Sequence, residues 1–334
     1  MKVLIAGGAG FIGSTVASAC LDAGITPVVL DNLSTGRVEF TEDRIFYHGD
    51  IADGALIDRI FAEHPDIDAA LHAAALIVVP ESVSEPLRYY RENVAKSVDF
   101  IDHLLRNGCS RYLFSSSGSI YAPGPDFTVD ESSPLAPTNP YSRTKVMMEQ
   151  VLEDTAAALP LKVLSLRYFN PVGADPKLRS GLQVRRPTHL LGRLLMAVDE
   201  DAEFHITGAD WPTRDGTGLR DFIHVWDLAD AHVRSLQRFD SLFPGADAEQ
   251  YQVINIGTGS GTTVREFIAA FVAATGVSLK VTESGRRPGD FMGWYTRSQK
   301  AHDLLDWTPR LSIEDAIRDS QRWSEIRDTR LAHA

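Results

Sequence analysis

Short runs of β-branched and apolar residues alternate with longer segments of helical period through the first half of the chain. The predicted strands are Val3–Ala6, Pro27–Asp31, Ile45–His48, Ala69–Ala74, Arg111–Ser115 and Lys162–Arg167. The predicted helices between them are Phe11–Ala23, Ala55–Glu63, Leu87–Arg106 and Tyr141–Ala158. This alternation predicts an α/β fold, a doubly wound parallel sheet of the Rossmann type with helices on both faces.

The alternation loosens after about Asn170, where Gly and Pro become frequent. Helices are still predicted at Pro187–Val198, Val264–Ala274 and Ile313–Trp323. A chain of 334 residues is long for one domain and sufficient for two. We therefore predict a Rossmann domain over residues 1–169 and a smaller C-terminal substrate-binding domain over residues 170–334. The segment Arg220–Arg238 is expected to pack back on the first domain.

The composition is that of an ordinary globular protein, with 44% hydrophobic and 23% charged residues. A net charge of −12 argues against a nucleic-acid partner, because phosphate backbones are bound by clustered Lys and Arg. A small phosphate-bearing ligand remains compatible, since one pocket can be basic on an acidic protein. Cys20 and Cys109 fall in or beside predicted buried elements, so we expect neither a disulfide nor a metal site.

The sequence does not indicate a membrane protein or an exported one. The longest apolar stretch, Ala69–Val79, is interrupted by His72 and is too short to cross a bilayer. The first residues predict a strand and a turn, without the basic region and cleavage site of a signal peptide. We therefore expect a soluble, cytoplasmic protein.

The first predicted strand leads into Gly7-Gly8-Ala9-Gly10-Phe11-Ile12-Gly13, and a predicted helix follows. Glycines here allow a tight turn and a close approach to a pyrophosphate, which the N-terminus of the helix stabilises. Glycine-rich turns are common, but this position between first strand and first helix is typical of a dinucleotide site. Asp31 ends the second strand, 18 residues after Gly13, where a carboxylate binds ribose hydroxyls and repels a 2′-phosphate. The predicted cofactor is therefore NAD rather than NADP.

Tyr141 and Lys145 are four residues apart at the start of a predicted helix, so their side chains lie on one face. A free tyrosine has a pKa of about 10, and lowering it by about 3 units takes about 4 kcal/mol. One ammonium about 4 Å away supplies that order of energy at an effective dielectric of about 20. Ser115-Ser116-Ser117 closes the fifth predicted strand, at the edge of the sheet where ligands bind. Tyr141 is the predicted base, Lys145 its cation, and Ser117 the hydroxyl that bridges the substrate and Tyr141.

These residues belong to motifs that run along nearly the whole chain. The motifs are GGAGFIG near the start, DNLSTG from Asp31, GDI from Gly49, HAAAL from His72, SSSGSIY from Ser115, PTNPYSRTK from Pro137, RYFNPVGA from Arg167, WPTRDGTGLRDFIHV from Trp211 and RRPGD from Arg286. On these motifs the chain resembles the extended short-chain dehydrogenase/reductases and, more closely, the UDP-glucose (UDP-galactose) 4-epimerases.

The resemblance implies an NAD-dependent isomerase that interconverts UDP-glucose and UDP-galactose through a transient 4-keto sugar. Tyr141 would take the proton of the sugar 4-hydroxyl while C4 gives its hydride to tightly held NAD, and the hydride would return to the other face. The residues implied for NAD are Gly7, Gly10, Phe11, Ile12, Gly13, Asp31, Asn32, Leu33, Ser34, Gly36, Asp50, Ile51, Ala73, Ala74, Ala75, Asn93, Ser115, Tyr141, Lys145, Tyr168 and Phe169. Those implied for the nucleotide sugar are Ser117, Tyr141, Asn170, His189, Leu190, Thr207, Arg220, Arg287 and Asp290.

The resemblance also implies a homodimer through helices of the first domain, for which Leu87–Arg106 is the candidate.

Some positions depart from the family pattern. Ile77 stands where the family commonly carries a lysine near the cofactor, and Thr207 where an aromatic residue is usual beside the uracil. The stretch Gln183–Leu190 matches only a variant of the nucleotide-binding turn. Trp294 stands at the position that gates the sugar pocket, and its bulk implies that 2-N-acetyl sugars are disfavoured.

Other activities on the same fold remain open. A 4-epimerase of another nucleotide sugar, such as UDP-glucuronate or a UDP-pentose, would use the same residues. A 4,6-dehydratase would need an additional acid and base directly after Ser117, where Gly118 and Ser119 stand. A 4-ketoreductase running with NADPH is disfavoured by Asp31. A non-catalytic NAD-binding regulator would have no use for the predicted acid–base set.

Overall fold

A computed structural model of the chain describes residues 1–122, 124–245, 249–286 and 292–331. The strands are β1 (Lys2–Ala6), β2 (Thr26–Asp31), β3 (Ile45–His48), β4 (Ile67–His72), β5 (Arg111–Ser115), β6 (Thr128–Val129), β7 (Lys162–Tyr168), β8 (Asn170–Val172), β9 (Phe204–Thr207), β10 (Leu219–Arg220), β11 (Phe222–His224), β12 (Tyr251–Ile256), β13 (Thr262–Thr263), β14 (Val281–Ser284) and β15 (Tyr295–Thr296).

The α-helices are α1 (Phe11–Asp22), α2 (Gly54–Glu63), α3 (Val79–Ser84), α4 (Pro86–Tyr90), α5 (Lys96–Arg106), α6 (Pro140–Ala158), α7 (Leu190–Asp199), α8 (Val225–Gln237), α9 (Phe239–Leu242), α10 (Val264–Thr275), α11 (Gln299–Leu305) and α12 (Ile313–Arg330). Short 3-10 turns cover Val38–Thr41 and Gly118–Ile120, and a π-helical turn covers Arg91–Ala95. Within the described ranges, no helix combines the length and apolar content that crossing a bilayer requires.

Seven of these strands form one parallel sheet in the order β12-β7-β5-β4-β1-β2-β3. Every strand predicted from the hydrophobic pattern lies in this sheet, and the doubly wound fold is confirmed. The edge strand β12 is the one member of the sheet that the pattern did not predict. It was missed because it follows the loosely patterned part of the chain, far in sequence from its neighbour β7.

The two faces of the sheet are covered by separate groups of helices. Val3 and Ile5 of β1 face a core that includes Val16 of α1 and Leu228 of α8. Leu4, between them, faces the opposite core with residues of α2, α5 and α6. Both faces are apolar because both are covered, which is why the strands are continuous hydrophobic runs.

The remaining part of the chain surrounds a third core, formed by residues of α7, α10, α12, β9 and β11. Aromatic packing dominates it, with the rings of Phe222 and Phe267 4.4 Å apart between their centroids. Its strands occur in short pairs, β9 with β14, β10 with β13 and β8 with β11. The helix α8 lies instead on the first sheet, where it packs along α1.

Some predicted helices differ from the observed ones. The predicted helix Leu87–Arg106 is helical throughout, but the π-helical turn Arg91–Ala95 lies within it, between α4 and α5. Pro187–Val198 is helical only from Leu190, since the backbone is still extended at His189. The helix predicted to end at Trp323 continues to Arg330.

Candidate active site

The carboxyl ends of the parallel strands meet at one edge of the sheet. Because β1 lies between β2 and β4, successive crossovers run in opposite directions from β1. Sheets of this topology bind ligands in the crevice outside that point. The glycine-rich turn follows β1, Asp31 ends β2 and Ser115 ends β5. The predicted cofactor and catalytic groups of the first domain therefore lie along one crevice.

The turn between β1 and α1 leaves no room for side chains. Gly7 has a φ of +79°, and a Cβ atom there would lie 2.5 Å from the backbone nitrogen of Ala74. A Cβ atom at Gly13 would collide with the carbonyl oxygen of Gly7. Gly10 precedes α1 without a side-chain cap, which leaves the first N–H groups of the helix for a bound anion. The cradle fits the pyrophosphate of a dinucleotide.

Asp31 lies beside this turn at the end of β2. Its carboxylate accepts hydrogen bonds from the N–H of Ala9 at 2.9 Å and of Leu33 at 2.8 Å. Burial raises the pKa of Asp31, and the N–H groups of Leu33 and Ala9 oppose that shift. A Cβ atom at Gly36 would lie 2.7 Å from the same carboxylate, so the loop closes tightly over it. These contacts fix the carboxylate where ribose hydroxyls bind in dinucleotide sites.

Asp50 follows β3, the strand that pairs with β2, and therefore lies near Asp31 at the same edge of the sheet. Its carboxylate accepts hydrogen bonds from Lys96 at 2.7 Å and from the Asn32 amide at 3.4 Å. Burial raises the pKa of Asp50, but the hydrogen bond from Lys96 and the other donors outweigh it, and the pKa is lowered overall. Lys96 was not predicted as a site residue. It stands at the start of α5, next to Asp50, directly after the π-helical turn Arg91–Ala95 that the sequence pattern did not indicate.

Asn93 lies in the π-helical turn and is buried. Its amide oxygen accepts from the Leu76 N–H at 2.8 Å, and its amide nitrogen donates to the Leu76 carbonyl at 2.9 Å. The same nitrogen donates to Thr144 of α6 at 3.2 Å. Asn93 thus connects, through hydrogen bonds, the loop after β4 with the helix that carries Tyr141 and Lys145.

The three predicted catalytic residues are brought together after β5. Asn139 caps α6 by accepting from the Ser142 N–H at 2.9 Å, which places Tyr141 in the first turn and Lys145 in the second. Ser117 lies close enough to Tyr141 to influence the pKa of its phenol. The buried ammonium of Lys145 donates to the Ser115 carbonyl at 2.7 Å.

The pKa values of this set differ from the expectation. Burial raises the pKa of Tyr141, and the hydrogen bond to Ser117 only partly opposes that shift. Burial lowers the pKa of Lys145 to about 8, against the attraction of Glu149. In the polypeptide alone, desolvation of the phenolate therefore has the larger effect on the Tyr141 pKa, and a role of Lys145 in lowering it stays a prediction.

A buried polar network lies directly behind Lys145. Glu149, one helical turn further along α6, pairs with Arg167 of β7 through bonds of 2.9 and 2.5 Å and accepts from Ser116 at 2.5 Å. Arg167 also donates to the Tyr121 hydroxyl at 2.7 Å, which donates to Asn255 at 2.7 Å. The network connects α6, β5, β7 and β12 beneath the catalytic residues. Glu149 was not predicted, although a carboxylate four residues after Lys145 on the buried helix face was a usable signal.

The remaining predicted cofactor residues lie along the same edge. The Ala73 N–H donates to the Ala6 carbonyl at 2.9 Å, and the Ser34 N–H donates to Asn32 at 3.0 Å. The ring of Phe169 lies against Gly118, where a Cβ atom would come within 2.5 Å. Others are Phe11 and Ile12 at the start of α1, Ile51 after β3, Ala75 after β4, and Tyr168, the last residue of β7.

The predicted substrate residues come from several separate elements. Asn170 begins β8, and its N–H donates to the Asp221 carbonyl at 3.0 Å. The guanidinium of Arg220 donates to the Met292 carbonyl at 3.1 Å. The indole N–H of Trp294 donates to the Gly118 carbonyl at 2.7 Å, directly beside Ser117.

His189 and Leu190 stand at the N-terminus of α7, and Thr207 ends β9. Burial lowers the pKa of His189. Arg287 and Asp290 lie outside the described residues. Across the ranges that the structure describes, no group of His, Cys, Asp or Glu side chains is arranged to hold a metal ion.

A doubly wound sheet with a glycine-rich turn after β1 and a Ser–Tyr–Lys set after β5 defines an extended short-chain dehydrogenase/reductase. The model of the NAD dependent epimerase/dehydratase family matches residues 3–257. The UDP-glucose 4-epimerase of Azospirillum brasilense is 39% identical, with 96% of this chain and 91% of the relative aligned. That of Bacillus subtilis (strain 168) is 38% identical, over 97% of this chain and 96% of the relative. The chain belongs to the NAD dependent epimerase/dehydratase family.

Solved structures give the same relationship. A UDP-glucose 4-epimerase of Stenotrophomonas maltophila, crystallised with bound NAD and formylated UDP-arabinopyranose, superposes with a TM-score of 0.92 at 34% identity, over 98% of this chain and 99% of that one. A UDP-glucose 4-epimerase of Bifidobacterium longum, in complex with NAD+ and UDP, gives a TM-score of 0.88 at 34% identity, over 97% and 98% of the two chains.

Proposed function

We propose that the protein is an NAD-dependent nucleotide-sugar 4-epimerase that interconverts UDP-glucose and UDP-galactose through a 4-keto sugar. The observation that carries the proposal is the anchoring of buried Lys145 on the Ser115 carbonyl, which brings the α6 turns of Tyr141 and Lys145 to the end of β5, at the edge of the sheet that holds the glycine-rich turn. The named relatives and the bound ligands of the solved structures support the choice of substrate.

In this proposal Tyr141 removes the proton of the sugar 4-hydroxyl and later returns it. NAD, when bound, accepts the hydride of C4 and gives it back to the other face of the keto sugar. Ser117 holds the sugar oxygen against Tyr141. Lys145 is anchored on the Ser115 carbonyl, from which it contributes positive charge and orients the bound ribose. A nicotinamide ring held beside Tyr141 and Lys145 would supply further positive charge and lower the pKa of the phenol.

The residues proposed to bind the dinucleotide and the nucleotide sugar are assigned from their positions in the motifs and in the fold. The N-terminus of α1, Asp31, Asp50 and Asn93 would hold the dinucleotide along the crevice. Asn170, Arg220, His189, Leu190 and Thr207 would hold the nucleotide sugar, as their positions in the sequence motifs imply. Arg287 and Asp290 stay predictions for the diphosphate. We propose the corresponding division into residues 1–169 and 170–334, with α8 belonging to the first part.

A homodimer is proposed through the surface formed by α4, the π-helical turn, α5 and α6. Leu87 is 67% exposed there, and Val98 and Met147 are 42% and 41% exposed. These exposed apolar side chains would be covered if two copies of the chain met at this surface, which supports the proposal. The cytoplasmic location stays a prediction.

The experiment that tests the activity is incubation of the purified protein with UDP-galactose, followed by NMR of the sugar anomeric protons. We expect conversion to an equilibrium mixture with UDP-glucose, and the same mixture from UDP-glucose. Added NAD controls for loss of cofactor during purification. A 4-keto-6-deoxy product would instead indicate a dehydratase, and no conversion of any UDP-hexose with added NAD would refute the substrate assignment.

Trp294 is expected to limit the size of the sugar. Its indole is 7% exposed and is fixed on the Gly118 carbonyl next to Ser117, so its ring lies beside the residue proposed to hold the sugar. The variant W294S should raise kcat/KM for UDP-N-acetylgalactosamine by about 10-fold or more, because steric exclusion of one group is commonly of that size. The variant W294Y keeps the bulk and should not do so. Equal gains in both variants would contradict a steric role.

A further inference from the structure

Three serine hydroxyls form a continuous chain that starts at the reaction centre. Ser117 lies 2.9 Å from the hydroxyl of Ser119, and Ser142 of α6 lies 3.0 Å from the same oxygen. The chain ends on Asn139, whose amide oxygen is 3.1 Å from the Ser142 hydroxyl. Ser117, Ser142 and Asn139 are all buried. Of these groups, only Ser117 has a role in the proposed reaction, and Ser119, Ser142 and Asn139 have none.

The end of the chain has a fixed polarity. The amide oxygen of Asn139 accepts the backbone N–H of Ser142 at 2.9 Å, as the cap of α6. It is therefore an acceptor in any arrangement of the hydroxyl protons. The other end is also anchored, since the Ser119 N–H donates to the Ser117 oxygen at 3.2 Å. Between these anchors, each serine has one proton and two neighbours that can receive it.

Two arrangements of the protons are complete. When Ser142 donates to Asn139, its oxygen accepts the proton of Ser119. Ser119 in turn accepts from Ser117, whose oxygen then offers a lone pair to the phenol of Tyr141. When Ser142 donates to Ser119 instead, Ser119 donates to Ser117. Ser117 then directs its own proton into the crevice, toward the phenolate of Tyr141.

Exchange between the two arrangements leaves every hydroxyl proton bonded. Three hydroxyls rotate, and no proton enters or leaves the chain. In the second arrangement Asn139 loses the Ser142 hydroxyl but keeps the Ser142 N–H. The alternation matches the proposed reaction, in which Tyr141 is a phenolate before it takes the sugar proton and a phenol afterwards. A hydrogen-bond donor to the phenolate favours the charged form, and a donor is not needed once the phenol has formed.

We propose that Ser119 and Ser142 are positioning residues that let Ser117 switch between donor and acceptor as Tyr141 loses and gains its proton. The inference rests on the proposed function and deepens it. Neither serine reaches the sugar in this scheme, since both act through Ser117. Ser119 occupies a position where a dehydratase would need a strong acid or base, and here its hydroxyl serves orientation instead.

The test compares S119A, S142A and S119T with the wild type in the UDP-galactose assay. We expect S119A to lower kcat about 5- to 10-fold, the size of one hydrogen bond lost in the transition state, with KM unchanged within about twofold. S142A should lower kcat less, because Ser119 can still pair with Ser117. S119T keeps the hydroxyl and should retain most of the wild-type kcat.

A control variant is S132A, which removes an exposed serine hydroxyl that hydrogen-bonds Asp130 at 2.6 Å. It should leave both constants unchanged. The inference is overturned if S119A keeps the wild-type kcat, if S119T loses as much as S119A, or if the loss lies wholly in KM. If S119A does not fold, a wild-type kcat in S142A overturns it equally. Absence of turnover in the wild type would refute the proposed function and this inference with it.

Discussion

Replacing Tyr141 with Phe should lower kcat by about 1000-fold or more while NAD remains bound, because the variant loses the proton acceptor and keeps the ring. The phenol belongs to the first turn of α6, and its removal leaves the glycine-rich cradle and Asp31 unchanged. The measurement is the rate of UDP-galactose conversion, together with the NAD released per protein chain on denaturation.

The matched control is Y47F, which removes a hydroxyl from β3 that hydrogen-bonds Glu63. It should keep both turnover and bound NAD. Turnover of Y141F within about 10-fold of the wild type would remove Tyr141 from the role of base. Loss of NAD from Y141F would show instead that the tyrosine acts mainly in cofactor binding.

The strands of the central sheet were predictable because burial on both faces leaves a simple signal. Val3, Leu4 and Ile5 are all fully buried, although they point to opposite sides of the sheet. A strand that is covered by helices on both faces has apolar residues at every position. The alternation of such apolar runs with helical segments therefore identifies the strands of a parallel sheet. β12 lacked this context, since its pairing with β7 joins residues such as Tyr251 and Val163 that are far apart in sequence.

The π-helical turn between α4 and α5 was not predictable for a different reason. Leu87–Arg106 has an apolar period that indicates a helix, but this period does not indicate one wider turn inside it. The turn serves the tertiary bonds of Asn93, which holds Leu76 on one side and Thr144 on the other. Such bonds depend on partners from other elements, so local sequence does not report them.

In the candidate site, too, some features were predictable from the sequence and others were not. The types and spacing of Tyr141 and Lys145 indicated the chemistry, because a helix places residues four apart on one face. The energetics did not follow from spacing, since the pKa of Tyr141 depends on burial that only the packed structure reveals. Glu149 and Arg167 were missed for the same reason, as they meet across two elements.

Replacing Glu149 with Ala should destabilise the protein by about 3–5 kcal/mol, the usual cost of removing one partner of a buried ion pair. The side chains of Glu149 and Arg167 are only 5% and 7% exposed, so the guanidinium would be left charged with little access to water. The Ser116 hydroxyl would lose its acceptor as well. The free energy of unfolding in urea measures the loss, with the NAD concentration held fixed because a bound ligand adds its own stabilisation.

The exposed pair of Arg106 and Asp58 gives the matched control. It has the same two-bond geometry, with Nε donating to one carboxylate oxygen at 3.0 Å and Nη2 to the other at 2.8 Å, but its side chains are 44% and 49% exposed. Water replaces a lost partner at such a site, so D58A should leave the unfolding free energy within the error of the measurement. The double variant E149L/R167M, which removes both charges, should recover part of the stability lost by E149A. Equal losses of unfolding free energy in E149A and D58A would mean that burial does not determine how much the Glu149–Arg167 pair stabilises the protein. The buried network next to Lys145 would then stabilise the fold no more than an exposed ion pair does.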